Sequence, residues 1–262
     1  MNTNKGNNFK QVDINGSKVQ YVDFGGGDKT LVMVHGFPGR PQDFRWLNDS
    51  LKNHFRVIQI CLPGMGYTPL KASPAVSLEQ RSAFLIAFLE CLQIDKCWLL
   101  GHSINGALSI VSAAKSPERI DRLILLCSIG LRPHKSYRHL PPKGVFLFSQ
   151  LPGIRKLFMP SIRKAYTSIG FPQGITDESI IHSLRCLYAV DYSIIRKHVD
   201  LLQCSTMSVW TKTDPLIEHE VQAELASRLP SGPRLIFEQG GHNPQRTHVK
   251  EIVEGLTAWS HT

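Results

Sequence analysis

The run Cys97-Trp98-Leu99-Leu100-Gly101-His102-Ser103-Ile104-Asn105-Gly106 admits few folds. It passes from apolar residues through a glycine and a serine straight into the apolar-rich Ala107-Leu108-Ser109-Ile110-Val111. An apolar run halted at glycine and resumed at once predicts a strand, a sharp turn and a helix. A serine on such a turn projects its hydroxyl beyond the end of a sheet, with the N–H groups of the new helix beneath it. The turn demands unusual backbone angles at the serine and small residues two places to either side. Gly101 meets that demand, whereas Asn105 stands where glycine is usual and Gly106 comes one place late. Taken alone, the pattern also suits a plain strand–loop–helix junction, so its meaning depends on how the other strands end.

Those strands can be read in order. Gln11–Ile14 and Lys18–Tyr21 alternate around Asn15-Gly16, a hairpin signal. Thr30–Val34 reads as a buried strand running into His35-Gly36-Phe37-Pro38-Gly39, with a helix expected over 43–53. Arg56–Cys61 is a further strand, closed by the turn Leu62-Pro63-Gly64-Met65-Gly66. Ser77 with Gln80 forms a capping box for a helix whose Leu78, Leu85, Phe88, Leu89 and Leu92 share one face. After the serine turn come a helix to about Lys115 and the strand Leu123–Cys127, then, late in the chain, strands at Met207–Trp210 and Arg234–Phe237 with helices at 218–229 and 249–259. Strands alternating with helices predict an α/β fold: a mostly parallel central sheet of about eight strands, flanked by helices.

Between residues 133 and 203 the alternation stops. Gly144–Gln150 and Ile154–Tyr166, separated by Pro152-Gly153, are apolar with interleaved cations, and Thr176 and Asp191 can each cap a further helix. A helical insertion of this length predicts a cap, dividing the chain into core 1–132, cap 133–203 and core 204–262. Its apolar residues Val145, Phe146, Leu147, Phe148, Leu157, Phe158, Ile180, Ile181 and Leu184 are expected to divide between the core and a wall over Ser103. Ten Lys/Arg against four acids place +6 of the formal +9 here, a field suited to an anionic substrate or surface, with a plain solvated face as the simpler account. No recognised nucleic-acid module accompanies the charge, so no nucleic-acid partner is expected.

A chain of 262 residues with 42% hydrophobic residues can bury a full core. The polar opening Met1–Asn8 predicts no secretory signal, no apolar run is long enough for a membrane span, and six cysteines lack metal-ligand spacing. Together these predict a reduced, cytoplasmic protein, with oligomeric state left open.

A serine hydroxyl needs a base, usually histidine, oriented by a carboxylate. Asp214 follows the strand Met207–Trp210, and His242, in Gly240-Gly241-His242-Asn243, follows Arg234–Phe237. Ser103, Asp214 and His242 therefore lie beyond the carboxyl ends of three strands, where a parallel sheet gathers its ligand-binding residues. No acid follows Leu123–Cys127, which leaves Asp214 as the orienting carboxylate.

In His35-Gly36-Phe37-Pro38, Gly101-His102-Ser103-Ile104-Asn105-Gly106, Asp214 and Gly241-His242, taken in that order, the chain resembles the α/β-hydrolases over nearly all its length. The resemblance implies an oxyanion hole from the backbone N–H groups of Phe37 and Ile104, a bracing role for His35, and no metal or organic cofactor. His35, Gly36 and Asn105 are candidates to line the site, Asn105 being read chiefly as an awkward turn residue. A serine nucleophile argues against the aspartate-dependent epoxide hydrolases and haloalkane dehalogenases, although His-Gly-Phe-Pro resembles their loop. The implied activity is hydrolysis of an ester, thioester or related acyl bond in a small molecule with an apolar or aromatic acyl group. Acyl transfer, a lyase or C–C hydrolase reaction on the same residues, and slow-turnover ligand binding are the alternatives.

Overall fold

The computed structural model describes residues 9–65, 67–140, 142–151, 153–168 and 174–261. Met1–Asn8, Gly66 of the expected turn, and Pro152 of the expected break between helices lie outside these residues. Strands β1 (Phe9–Ile14) and β2 (Ser17–Asp23) pair antiparallel around Asn15-Gly16, whose φ angles of 50° and 79° are those a two-residue hairpin requires. Then follow β3 (Lys29–Val34), α1 (Arg45–Leu51), β4 (Phe55–Ile60), α2 (Leu78–Cys91), β5 (Cys97–His102), α3 (Ile104–Lys115) and β6 (Ile120–Leu126). Next come α4 (Lys143–Phe148), α5 (Ile154–Ser168), α6 (Asp177–Tyr188) and α7 (Tyr192–Asp200). The chain closes with β7 (Ser205–Thr211), α8 (His219–Arg228), β8 (Arg234–Phe237), α9 (Pro244–Thr247) and α10 (Val249–Ser260).

The eight strands form one sheet in the order β1-β2-β4-β3-β5-β6-β7-β8, antiparallel at β1–β2–β4 and parallel elsewhere. From β3 the chain steps outward to β4 and then returns to lay β5 on the other side. The crevice beyond the carboxyl ends of β3 and β5 is thus a topological switch point, the usual ligand position in such sheets. Register brings the strand ends level: Val34 pairs with Gly101, His102 with Leu126, Leu126 with Val209, and Thr211 with Phe237.

Both faces of the sheet are buried, which is why its strands read as apolar runs. Val32, Val34, Leu99, Leu123 and Leu125 face a core built with α2, α3 and α7. Their alternates Leu31, Met33, Trp98, Leu100, Ile124 and Leu126 face a core built with α1 and α10. A separate apolar cluster of Phe146, Met159, Tyr166, Ile180, Ile181 and Leu184 lies within the helices inserted between β6 and β7.

Several details depart from the sequence reading. The helix expected over 43–53 is a 3₁₀ turn, Pro41–Phe44, followed by α1, because Asp43 accepts a hydrogen bond from the Arg40 N–H at 3.0 Å and tightens the entry. At α2 only half of the capping box forms: Ser77 Oγ accepts from the Gln80 N–H at 3.3 Å, while Gln80 Oε1 accepts from the Ser77 hydroxyl instead of its backbone. Thr176 and Asp191 cap α6 and α7 as expected. All six cysteines are free thiols.

Four buried histidines set an acid limit on the fold. Burial pushes His102 down to about 3 and His134 and His182 to about 4 from the ordinary 6.5, and lowers His35 as well. Each is neutral when folded but takes a proton when unfolded below about pH 6.5, so stability falls as pH falls through that value toward 4. Carboxylates are still ionised in the upper part of this window. The expected result is a melting temperature that declines between pH 7 and 5 and a shallower decline in His182→Gln; a flat profile would contradict it.

Candidate active site

Ser103 occupies the one-residue hinge between β5 and α3 with φ 60° and ψ −130°, a conformation costing about 1–3 kcal/mol for a residue with a Cβ. Close packing holds it there. A Cβ at Gly101 would collide with Ser109 Oγ and the Asn105 carbonyl, and one at Gly106 with the Ser128 side chain. The glycine that comes one place late is therefore the point where α3 approaches the loop after β6.

His242, on the loop after β8, lies between the other two residues. Its Nε2 is 2.9 Å from Ser103 Oγ and its Nδ1 is 2.8 Å from Asp214 Oδ2. With Asp214 ionised, Nδ1–H donates to the carboxylate and Nε2 is left to accept from the hydroxyl. Burial works to raise the Asp214 carboxyl, but His242 and the backbone N–H groups of Leu216 and Ile217 outweigh it and hold the carboxyl below its usual value. Gln222 Nε2 adds a donor at 3.3 Å. The His242 loop is fixed from below: His102 Nε2–H donates to the His242 carbonyl at 3.0 Å, and the Thr211 hydroxyl to the Gly241 carbonyl at 2.8 Å. An imidazole held between a hydroxyl and a buried carboxylate can accept the hydroxyl proton as the oxygen attacks.

The other expected site residues divide. Phe37, Gly36, Ser103 and His242 line a cavity of about 650 Å³, whereas His35 and Asn105 are fully buried behind it. His35 Nδ1–H donates to the Gly36 carbonyl at 2.9 Å and Nε2 accepts from the Leu62 N–H at 3.2 Å, joining the loops after β3 and β4. Ile104 is the first residue of α3, so its N–H has no acceptor within the helix. Asn105 accepts a hydrogen bond from Arg81 and donates one to the His35 carbonyl. Arg81 is itself buried, stacks over the Phe37 ring at 4.5 Å, and has no carboxylate partner among the described residues.

The sequence reading assigns no site role to Arg81, to His102 or to the cavity residues Trp46, Tyr67, Arg40 and Arg246. His102 was within reach of it, as the residue before the serine on a buried strand. The wall contributed by the inserted helices also differs: Ile175, Thr176 and Ser179 line the cavity, and none of the nine apolar residues expected to divide between the core and that wall does. Phe146, Ile180, Ile181 and Leu184 are buried, while Val145, Leu147, Phe148 and Leu157 face outward.

Residues 29–153 match the model of the alpha/beta hydrolase fold family. A pimeloyl-[acyl-carrier protein] methyl ester esterase of Proteus mirabilis is 24% identical, with 92% of this chain and 95% of that protein aligned. A 2-hydroxy-6-oxononadienedioate/2-hydroxy-6-oxononatrienedioate hydrolase of Cupriavidus pinatubonensis is 24% identical over 89% of this chain and 87% of that one. Among solved structures, a meta-cleavage product hydrolase of Pseudomonas fluorescens superposes with a TM-score of 0.71 at 18% identity, covering 96% and 97% of the two chains. The eight-stranded sheet with a strand–turn–helix at its centre, the family match over 29–153 and this superposition give the chain the α/β-hydrolase fold.

Proposed function

We propose that the protein is a serine hydrolase that cleaves an ester, thioester or related acyl bond through Ser103, His242 and Asp214. The observation that carries this reading is the continuous hydrogen-bonded line from the Ser103 hydroxyl through both nitrogens of His242 to a buried carboxylate. His242 takes the hydroxyl proton as Ser103 Oγ attacks the acyl carbonyl, then returns it to the leaving group. Water releases the acyl group by the same route. Asp214 fixes the tautomer and balances the imidazolium. The N–H groups of Phe37 and Ile104 receive the oxyanion, a contribution of about 3 kcal/mol for each donor. Residues 133–203 act as the cap of this site, and no metal or organic cofactor enters these steps.

A fluorophosphonate probe tests the nucleophile. The wild-type chain is expected to be labelled at Ser103, and Ser103→Ala to lose both labelling and turnover. Asp214→Asn should keep its melting temperature within a few degrees yet lower kcat by up to about 10⁴-fold, by favouring the wrong tautomer. Labelling of another serine in Ser103→Ala would sink the assignment.

Asn105 has a second part in this reading. It bridges Arg81 to the carbonyl of His35, two residues before Phe37, and so fixes the loop that supplies one oxyanion donor. Asn105→Gly, which a purely structural turn residue would tolerate, is expected to lower kcat by about 10- to 100-fold with little change in KM. Arg81→Met should do the same. Unchanged kcat in both would leave Asn105 as a packing residue.

The cavity wall supports a substrate with an apolar body and an acidic end. Phe37, Trp46, Met65 and Leu216 supply the apolar surface; Arg40 and Arg246 line it with one carboxylate, Asp43. Matched esters ending in a methyl or a carboxylate group should differ in kcat/KM in favour of the anion, by a ratio that shrinks with added salt. Equal values at low salt would remove the cations from recognition. The relative from Cupriavidus pinatubonensis, whose name gives a dioate substrate, favours carbon–carbon bond hydrolysis as the second reading. Turnover of a vinylogous 1,5-diketone acid without turnover of any ester would select it.

A further inference from the structure

The apolar residues of the inserted helices that do not line the cavity point into solvent. Val145 (48%), Leu147 (57%), Phe148 (53%), Leu151 (48%) and Leu157 (77%) account for five of the eight large hydrophobic side chains that are exposed among the described residues. Single exposed apolar residues are ordinary on a soluble protein, but a contiguous group is not. This group occupies the outer side of α4, the turn after it and the start of α5, while Phe146 and Met159 turn inward to the local core.

Cations flank it. Lys143, Arg155, Lys156 and Lys164 are exposed, and none of them forms an ion pair among the described residues. From Arg122 to Thr176 the sequence contains no Asp or Glu at all. A face with large exposed apolar side chains, long cationic ones beside them and no acid of its own has the composition of an interfacial helix. There the apolar groups enter the acyl boundary and the cations meet lipid phosphates. No helix among the described residues is long and apolar enough to cross a membrane, so the face is suited to lying on a bilayer rather than spanning it.

We propose that the α4–α5 face docks on a bilayer surface rich in anionic phospholipid. Charge selects this occupant over a second copy of the chain, because a two-fold contact through the face would bring two sets of the same cations together, with no acid in 122–176 to pair them. A bilayer also supplies both components of the face, negative headgroups and acyl chains, without requiring a shaped pocket. The face is mechanically joined to the cavity. Arg163 of α5 donates to the Ile175 carbonyl at 2.9 Å and pairs with Asp177 at the start of α6, and Ile175, Thr176 and Ser179 form part of the cavity wall. Docking would therefore bring the segment that borders the cleft to the lipid surface. The proposal stands on the surface alone and does not depend on the chemistry of Ser103.

Sedimentation of the full chain with vesicles of phosphatidylglycerol mixed into phosphatidylcholine, against phosphatidylcholine alone, tests it. The mixed vesicles should bind at least about tenfold more tightly, and added salt should erase most of the difference. Leu147→Ser with Leu157→Ser, and separately Arg155→Gln with Lys156→Gln, should each weaken vesicle binding by about tenfold or more, while melting temperature and any soluble-ester turnover stay at the wild-type level. Equal binding to both vesicle types, no binding to either, or variants that bind like the wild type would overturn the proposal. So would soluble polyglutamate binding as tightly as the mixed vesicles, which would point to an acidic protein. A dimer in solution that the Leu157→Ser variant abolishes would assign the face to a second copy instead.

Discussion

The backbone of Ser103 is the constraint on which the site depends. A non-glycine residue at φ 60° and ψ −130° relaxes unless its surroundings forbid it. Here Gly101, Gly106 and Gly36 allow β5, α3 and the loop after β3 to approach so closely that a methyl group at any of them would meet neighbouring atoms. The Ser103 N–H is held by the Leu126 carbonyl, and its own carbonyl accepts from Gly106 and Ile129. The strain is thus maintained by three elements of the sheet at once. The hydroxyl projects into the cleft because the backbone cannot turn it elsewhere.

Much of this was legible because parallel sheets write plainly into sequence. Strands buried on both faces appear as short apolar runs, and the chemistry sits where those runs stop. That logic placed Ser103, Asp214 and His242 beyond β5, β7 and β8, and the register brings those ends into reach of one another. What it could not supply were contacts fixed by the rotation of one element against another. Arg81 reads as one more polar position on an amphipathic helix; that it is buried against Phe37 and Asn105 follows only from how α2 sits on α3.

The inserted helices show a different limit. In Val145-Phe146-Leu147-Phe148 every residue is apolar, yet only Phe146 is buried. A helix of this length turns through its full circumference, so an unbroken apolar run carries no information about which face points inward. A longer element with true periodicity, α6, buries the residues that share one side of it, Ile180, Ile181 and Leu184. Composition thus revealed the excess of apolar surface but not its direction.

Arg81 and Asn105 show how charge and geometry can be separated. Burying a guanidinium without a carboxylate costs several kcal/mol, and the usual remedy is an acid beside it. The residue in that position is Asn105, an amide that differs from aspartate by a single atom exchange and follows Ile104 directly. An aspartate there would neutralise Arg81, but would also set a negative charge one residue from the N–H that the proposed chemistry needs for an oxyanion. It would lose the amide N–H that holds the His35 carbonyl as well. Asparagine accepts from the arginine and donates to the loop while leaving the local charge positive. In the proposed reaction the missing counter-charge arrives with the transition state, so part of the cost of burying Arg81 is recovered at the moment the oxyanion forms.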